Sequence, residues 1–340
     1  MPTSPLRSAL LATALAALAA PAFAAGELNL YSSRHYDTDE RLYSNFEAET
    51  GIRVNRIEAG ADALIERMRA EGRNSPADVL LTVDAGRMWR AAEAGLLQSV
   101  ESNLLEDRIP SELRHPGGLW YGVSTRARII FYDREDVAEP PQTYEELADP
   151  RFEGQVCTRS SSNIYMLSLM AAIIEHQGSE AATDWAEGVY ANRARDPQGG
   201  DTDQLRAIVS GECDVVVANT YYFVRGLRGG VDGLSDGIDR IGWVFPNQET
   251  TGTHVNVSAG AVAAHAPNRE NAIRFLEYLA SDNAQAFLAE GNNEYPAVPS
   301  VETAAPVQQL GAFEADDLNL SVLGENQTQA QFIYDSVGYK

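Results

Sequence analysis

The stretch Pro76-Ala77-Asp78-Val79-Leu80-Leu81-Thr82-Val83-Asp84 carries the clearest structural signal in the chain. A proline leads into a nearly continuous apolar, β-prone run that ends on an acid. A strand with one wet face would alternate apolar and polar residues, so this run predicts a strand covered on both faces, as in a parallel sheet wrapped by helices. The flanking sequence agrees. Upstream, residues 28–31 and 52–57 read as strands. Helices are expected at 37–50, with Asp37 as N-cap, Leu42, Phe46 and Ala48 on one side and Gly51 past the end, and at 61–71, with Leu64, Ile65 and Met68 at helical spacing before Gly72. Another helix runs from Asp84 toward Gly95. The βαβαβα order predicts a parallel sheet.

A second series follows. Residues 120–132 form a long β-prone run, able to carry the chain from one lobe to another, and Pro140-Pro141 breaks it. A short helix at 144–148 precedes a strand at 154–158, helices at 163–176 and 202–210, a strand at 215–218 and another at 241–245. The small, β-prone segment 253–263 crosses back. Residues 268–280 form an amphipathic helix with Ile273, Phe275, Leu276 and Leu279 facing inward. Two α/β lobes joined by at least two crossings result, with the cleft between them as the expected ligand site.

The chain has 340 residues, 44% hydrophobic and 22% charged, a composition suited to about two folded domains. Acidic residues outnumber basic ones 49 to 26, and the net charge of −23 argues against a nucleic-acid partner, which needs a basic face. Residues 1–25 read as a cleavable secretory signal: Arg7, an apolar segment, then the small residues around Ala22-Phe23-Ala24-Ala25. No later stretch reaches the ~20 apolar residues of a membrane span, so the exported chain is expected to be soluble or at most peripherally attached, and a monomer is expected. Its two cysteines, Cys157 and Cys213, both open short strands and predict one disulfide between neighbours in a sheet. Closing a loop of about 56 residues, it would stabilise by ~3–4 kcal/mol.

Polar clusters fall where strands end, the edge that faces the crevice in open α/β sheets. They are Ser32-Ser33-Arg34-His35-Tyr36, Arg159-Ser160-Ser161-Ser162-Asn163-Ile164-Tyr165 and Asn219-Thr220-Tyr221-Tyr222. A single tyrosine is usually a core or rim residue, the role expected for Tyr31, Tyr43, Tyr132, Tyr144, Tyr190 and Tyr278. Adjacent side chains on a regular strand point to opposite faces, so Tyr221 and Tyr222 converge only if the strand ends or turns there.

These runs, together with Pro76–Asp84 and with Phe245-Pro246-Asn247-Gln248 followed by Gly252-Thr253-His254-Val255-Asn256, resemble those of the periplasmic ferric-iron-binding proteins. Those proteins are the solute receptors of iron ABC importers, often called bacterial transferrins. The resemblance covers nearly the whole mature chain and keeps the family's motif order. It implies a two-lobed α/β periplasmic-binding-protein fold, type II-like, hinged about an interlobe cleft. After the signal peptide at 1–25, lobe 1 would comprise 26–125 plus 250–300, and lobe 2 would comprise 126–249 plus 301–340. It also implies a periplasmic location, Fe(III) as the transported ligand and an inner-membrane ABC permease as partner. The family's ligands are one Tyr in the first loop, one after the Ser-rich turn, and the Tyr-Tyr pair, matched here by Tyr36, Tyr165, Tyr221 and Tyr222. His35 matches a residue that some members use as an additional ligand and others do not. Arg126 and Arg225 match arginines that the family places near the metal.

The chemistry is consistent with these implications. Fe(III) is a hard ion that favours anionic oxygen donors. Ionising one phenol at pH 7 costs about 4 kcal/mol, so the metal itself must drive proton loss. Four phenolates on Fe(III) leave one net negative charge, which favours a nearby cation. The Ser160-Ser161-Ser162-Asn163 turn could hold an anion such as carbonate at a helix N-terminus, but capping by Ser162 or Asn163 is the favoured reading. No hydrolase elbow, zincin motif, phosphate-binding loop or paired-Cys motif points to an enzyme. A receptor for an anion or another small solute on the same scaffold is the alternative, and it would not need Tyr at four crevice positions.

Overall fold

Six elements in βαβαβα order begin the fold: β1 (Glu27–Ser32), α1 (Asp39–Thr50), β2 (Arg53–Glu58), α2 (Ala61–Glu71), β3 (Val79–Val83) and α3 (Ala85–Glu93). The structure is a computed structural model that describes residues 26–34 and 38–340. The expected signal segment, Asp37 and the nominated site residues His35 and Tyr36 lie outside the described residues. β1 pairs in parallel with both β2 and β3, and the first four residues of β3 are buried, as the apolar run predicts. α1 buries Leu42 and Phe46 as expected, and Gly51 closes it at φ 71°, a left-handed turn that glycine adopts without a Cβ clash. Ala48 is exposed, contrary to expectation. It sits about 200° around the helix from Phe46, and Tyr43 fills the core face instead.

The remaining elements are α4 (Asn103–Arg108), β4 (Tyr121–Asp133), β5 (Val156–Cys157), α5 (Ile164–Ala191), α6 (Asp201–Val209), β6 (Val215–Asn219) and α7 (Thr220–Leu227). Then come β7 (Ile241–Val244), β8 (Val255–Val262), α8 (Arg269–Leu279), α9 (Asp282–Asn292), β9 (Tyr295–Pro296), α10 (Ala305–Gln308), α11 (Val322–Glu325) and α12 (Gln327–Ser336). The strands order β2-β1-β3-β8-β4-β6-β5, with β7 and β9 also paired to β4. Past β3 the expectation of a parallel sheet fails. β8 returns between β3 and β4 and is antiparallel to both, and β4 is antiparallel to β6.

β4 is the long crossing strand. Its residues Tyr121–Ala127 pair with β8, and from Arg128 onward it pairs with β6 and β7. One strand thereby joins two halves of the sheet, and β8 makes the return crossing. All eight residues of β8 are buried. A Cβ on its Gly260 would lie 2.6 Å from the Leu276 side chain, so close packing of α8 requires glycine there.

α5 runs beyond the predicted end at residue 176. Gly178, at φ 81°, breaks its geometry, and the chain resumes helix to Ala191. α12 packs along α5, and α11 touches both α3 and α5. Between α3 and α5, Asp84 caps α3 through the Gly86 amide at 2.8 Å and also accepts from Ser168 of α5 and Asn256 of β8. These bonds hold a non-glycine residue at φ 80°. Cys157 and Cys213 form the expected disulfide, with Cα atoms 5.9 Å apart, but Cys157 closes β5 instead of opening it and Cys213 lies two residues before β6.

Candidate metal centre

Tyr165 is the second residue of α5, whose start is fixed by Asn163. The Asn163 side chain accepts from the Tyr165 amide at 3.1 Å, the capping that the sequence favours. The Ser161 amide donates to the Lys340 carbonyl at 2.9 Å, and the Asn163 amide donates to Ser160 O. Two amides of the Ser-rich turn, those of Ser161 and Asn163, are thus committed to protein acceptors, which leaves a poorer cradle for an anion.

β6 ends at Asn219 and α7 begins at Thr220 with no loop between them. This junction supplies the turn that the Tyr-Tyr argument required. Tyr221 is buried and Tyr222 half-buried, with ring centroids 4.2 Å apart and planes at 32°. The Tyr165 and Tyr221 hydroxyls are 3.4 Å apart. Three of the four sequence-nominated phenols therefore gather at the carboxyl ends of β5 and β6. Of the other tyrosines, Tyr31, Tyr43, Tyr144 and Tyr278 are buried, as read from the sequence. The Tyr144 hydroxyl is not wet: it donates to Arg128 O at 2.5 Å, and burial raises its pKa far above that of a free phenol.

The two nominated arginines part company. Arg225 lies with its guanidinium carbon 5.3 Å from the Tyr222 ring centre and donates to Thr202 at 2.9 Å. Arg126 is buried on β4 and pairs with Glu294 at 2.8 Å. Glu294 also takes Arg34 at 3.3 Å and the Ser124 hydroxyl at 2.6 Å, and Arg34 pairs with Asp39 at 3.0 Å. Burial alone would push the Glu294 carboxyl up, but Arg126 and Arg34 hold it below the usual carboxylate range.

Sequence reasoning missed a second charge cluster. Arg128 is two residues along β4 from Arg126 and donates to Asp201 at 3.2 Å and to the Asn219 side chain at 3.0 Å. Arg159 reaches the same carboxylate at 3.4 Å, and Asp201 also accepts from the Asn219 amide at 3.0 Å. The available signal was a pair of charges, Arg126 and Arg128, inside a buried β-prone strand. Among the described residues, no group of three or more His, Cys, Asp or Glu is placed to hold a metal.

A family model of the bacterial extracellular solute-binding proteins matches residues 74–313. The chain belongs to this family. It is 50% identical to iron uptake protein A1 of a Synechocystis species over 315 residues, covering 92% of this chain and 88% of that protein. It is 27% identical to the major ferric iron-binding protein of Neisseria meningitidis, over 98% and 99% of the two chains. Among solved structures it superposes on a Trichodesmium protein in complex with iron and citrate, with a TM-score of 0.90 and 49% identity, covering 93% of this chain and 100% of that one. The fold is accordingly that of a two-lobed periplasmic binding protein. No helix of the described residues is long and apolar enough to cross a membrane.

Proposed function

We propose that this solute-binding protein is a periplasmic ferric-iron receptor that carries Fe(III) on tyrosinates to an inner-membrane ABC permease. The observation that carries this reading is the meeting of Tyr165, Tyr221 and Tyr222 at two strand-to-helix junctions. Phenols are hard oxygen donors once ionised, and packing three of them together serves little purpose in a receptor for neutral solutes. Similarity to iron uptake and ferric-binding proteins over more than nine-tenths of the chain supports the same cargo.

Tyr36 is the fourth ligand in this reading, brought from the first lobe as the hinge closes, and His35 beside it is a further candidate donor. The lobes divide where β4 exchanges β8 for β6, close to the sequence-derived boundary at 125/126, with the return near 250 and the C-terminal tail assigned to lobe 2. Closure on iron changes the outer shape that a permease recognises. The leader at 1–25 directs export, and the protein binds its cargo without transforming it.

An anion receptor on this scaffold would keep the backbone amides of the Ser-rich turn available, and here those of Ser161 and Asn163 are spent on the Lys340 and Ser160 carbonyls. The test is a ferric titration of the full chain beside Tyr221→Phe/Tyr222→Phe, followed in visible light. Phenolate-to-iron charge transfer should colour the native protein, and the double variant should lose most of that colour and at least ~100-fold in affinity, one to two ligands' worth. Colour and affinity retained in the double variant would refute the reading.

A further inference from the structure

Asp201, at the first position of α6, is fully buried, yet it is shared by two guanidiniums. Arg128 lies 3.2 Å from one of its carboxylate oxygens and Arg159 lies 3.4 Å from the other. Among the described residues, neither arginine has a second carboxylate within ion-pair distance, so the group retains one net positive charge. That surplus sits against one particular ring. The guanidinium carbons of Arg159 and Arg128 are 5.4 and 5.9 Å from the centre of Tyr165, within the range where a cation and an aromatic face attract.

We propose that Arg128 and Arg159, held by Asp201, are positioning residues of the iron site that supply the countercharge of the ferric–tyrosinate centre. This inference rests on the reading of Tyr165 as a ligand. Four phenolates on Fe(III) leave one negative charge, and the cluster's surplus cancels it. A guanidinium has no lone pair to donate and stays charged, so it can neutralise the centre without competing for the metal. Of the two countercharge candidates of the sequence, Arg126 already faces the Glu294 carboxylate, and Arg225 lies against Tyr222 rather than Tyr165.

The two arginines divide the work. Arg128 is fully enclosed and also donates to Val217 O at 3.2 Å and to Asn219, so it ties β4 to β6 as well. Arg159 makes one long bond to Asp201, and its Nε has no partner. Structural duty therefore explains Arg128 in part and Arg159 hardly at all, which makes Arg159 the cleaner probe.

The experiment compares ferric binding, in competition with citrate, for the full chain and for Arg159→Gln, Arg159→Lys and Tyr165→Phe. Arg159→Gln should bind Fe(III) about 10- to 100-fold more weakly, the effect expected of an opposite charge at this range. Its charge-transfer band should move to longer wavelength, because a phenolate without its cation gives up an electron more easily. Arg159→Lys should restore most of both, and the unfolding midpoint of each should stay near that of the native chain. Native affinity and an unmoved band in Arg159→Gln, with Tyr165→Phe altering the band, would overturn the countercharge role alone. An unaltered band in Tyr165→Phe would overturn the ligand assignment beneath it.

Discussion

Arg126 and Arg128 stand two residues apart on one strand, on either side of the point where β4 changes partner, and their surroundings are opposites. Arg126 belongs to a group that is balanced among the described residues: with Arg34 it makes two guanidiniums against the two carboxylates of Asp39 and Glu294, all buried. Arg128 belongs to an unbalanced one, two guanidiniums against Asp201 alone among the described residues. A buried charge without a partner is costly, so the first group is satisfied within the protein and holds the crossing region together. The second keeps a surplus that an anionic neighbour can discharge, and in the proposed site the ionised phenols are that neighbour. In the proposed reading, charge balance separates a group that serves the fold from one that serves the cargo.

The balanced group breaks most expensively. Glu294→Gln leaves Arg34 and Arg126 facing one carboxylate, and a loss of about 3–5 kcal/mol is expected in urea denaturation. Its pH behaviour follows from the lowered Glu294 pKa. The stability this carboxylate contributes is fully present above the free carboxylate value of about 4.3 and is lost as pH falls through the lower folded value. Glu294→Gln should therefore flatten the acid limb of the stability curve, and an unchanged limb would count against the pairing. Replacing Cys157 and Cys213 with serine loosens β5 and β6 beneath the unbalanced group, and should cost ~3–4 kcal/mol with the acid limb untouched. Asn163→Ala removes the cap that sets Tyr165 beside Arg159 and should cost about 1 kcal/mol, read by thermal unfolding. Smallest in stability is Arg159→Gln, within about 1 kcal/mol of native because its ion pair is long and partly exposed.

Much of this was readable in the chain because the signals are local. The Val79–Val83 run is apolar but for Thr82, and the crossing strand near 120–132 and the return near 253–263 are rich in apolar and small β-prone residues, so their burial shows largely in composition. Other elements depend on tertiary context. Thr220-Tyr221-Tyr222-Phe223-Val224 is β-prone, yet it forms α7, a case of packing overriding propensity. Gly178 looks like a helix stop, but a second helix resumes after it. The charge clusters are long-range: Arg34 and Glu294 are 260 residues apart, and no periodicity links them. As for the site, Tyr165, Tyr221 and Tyr222 were singled out by resemblance more than by pattern. Physical reasoning added only that the pair needs a strand end, and Asn219 provides it.

The most direct test of the central claim is resonance Raman of the ferric-loaded protein, excited in its visible band. The account predicts ring modes of metal-bound tyrosinate that diminish in Tyr165→Phe and nearly vanish when Tyr221 and Tyr222 are also changed to phenylalanine. A ferric-loaded protein without tyrosinate modes, or one whose modes keep their full intensity after all three substitutions, would contradict it.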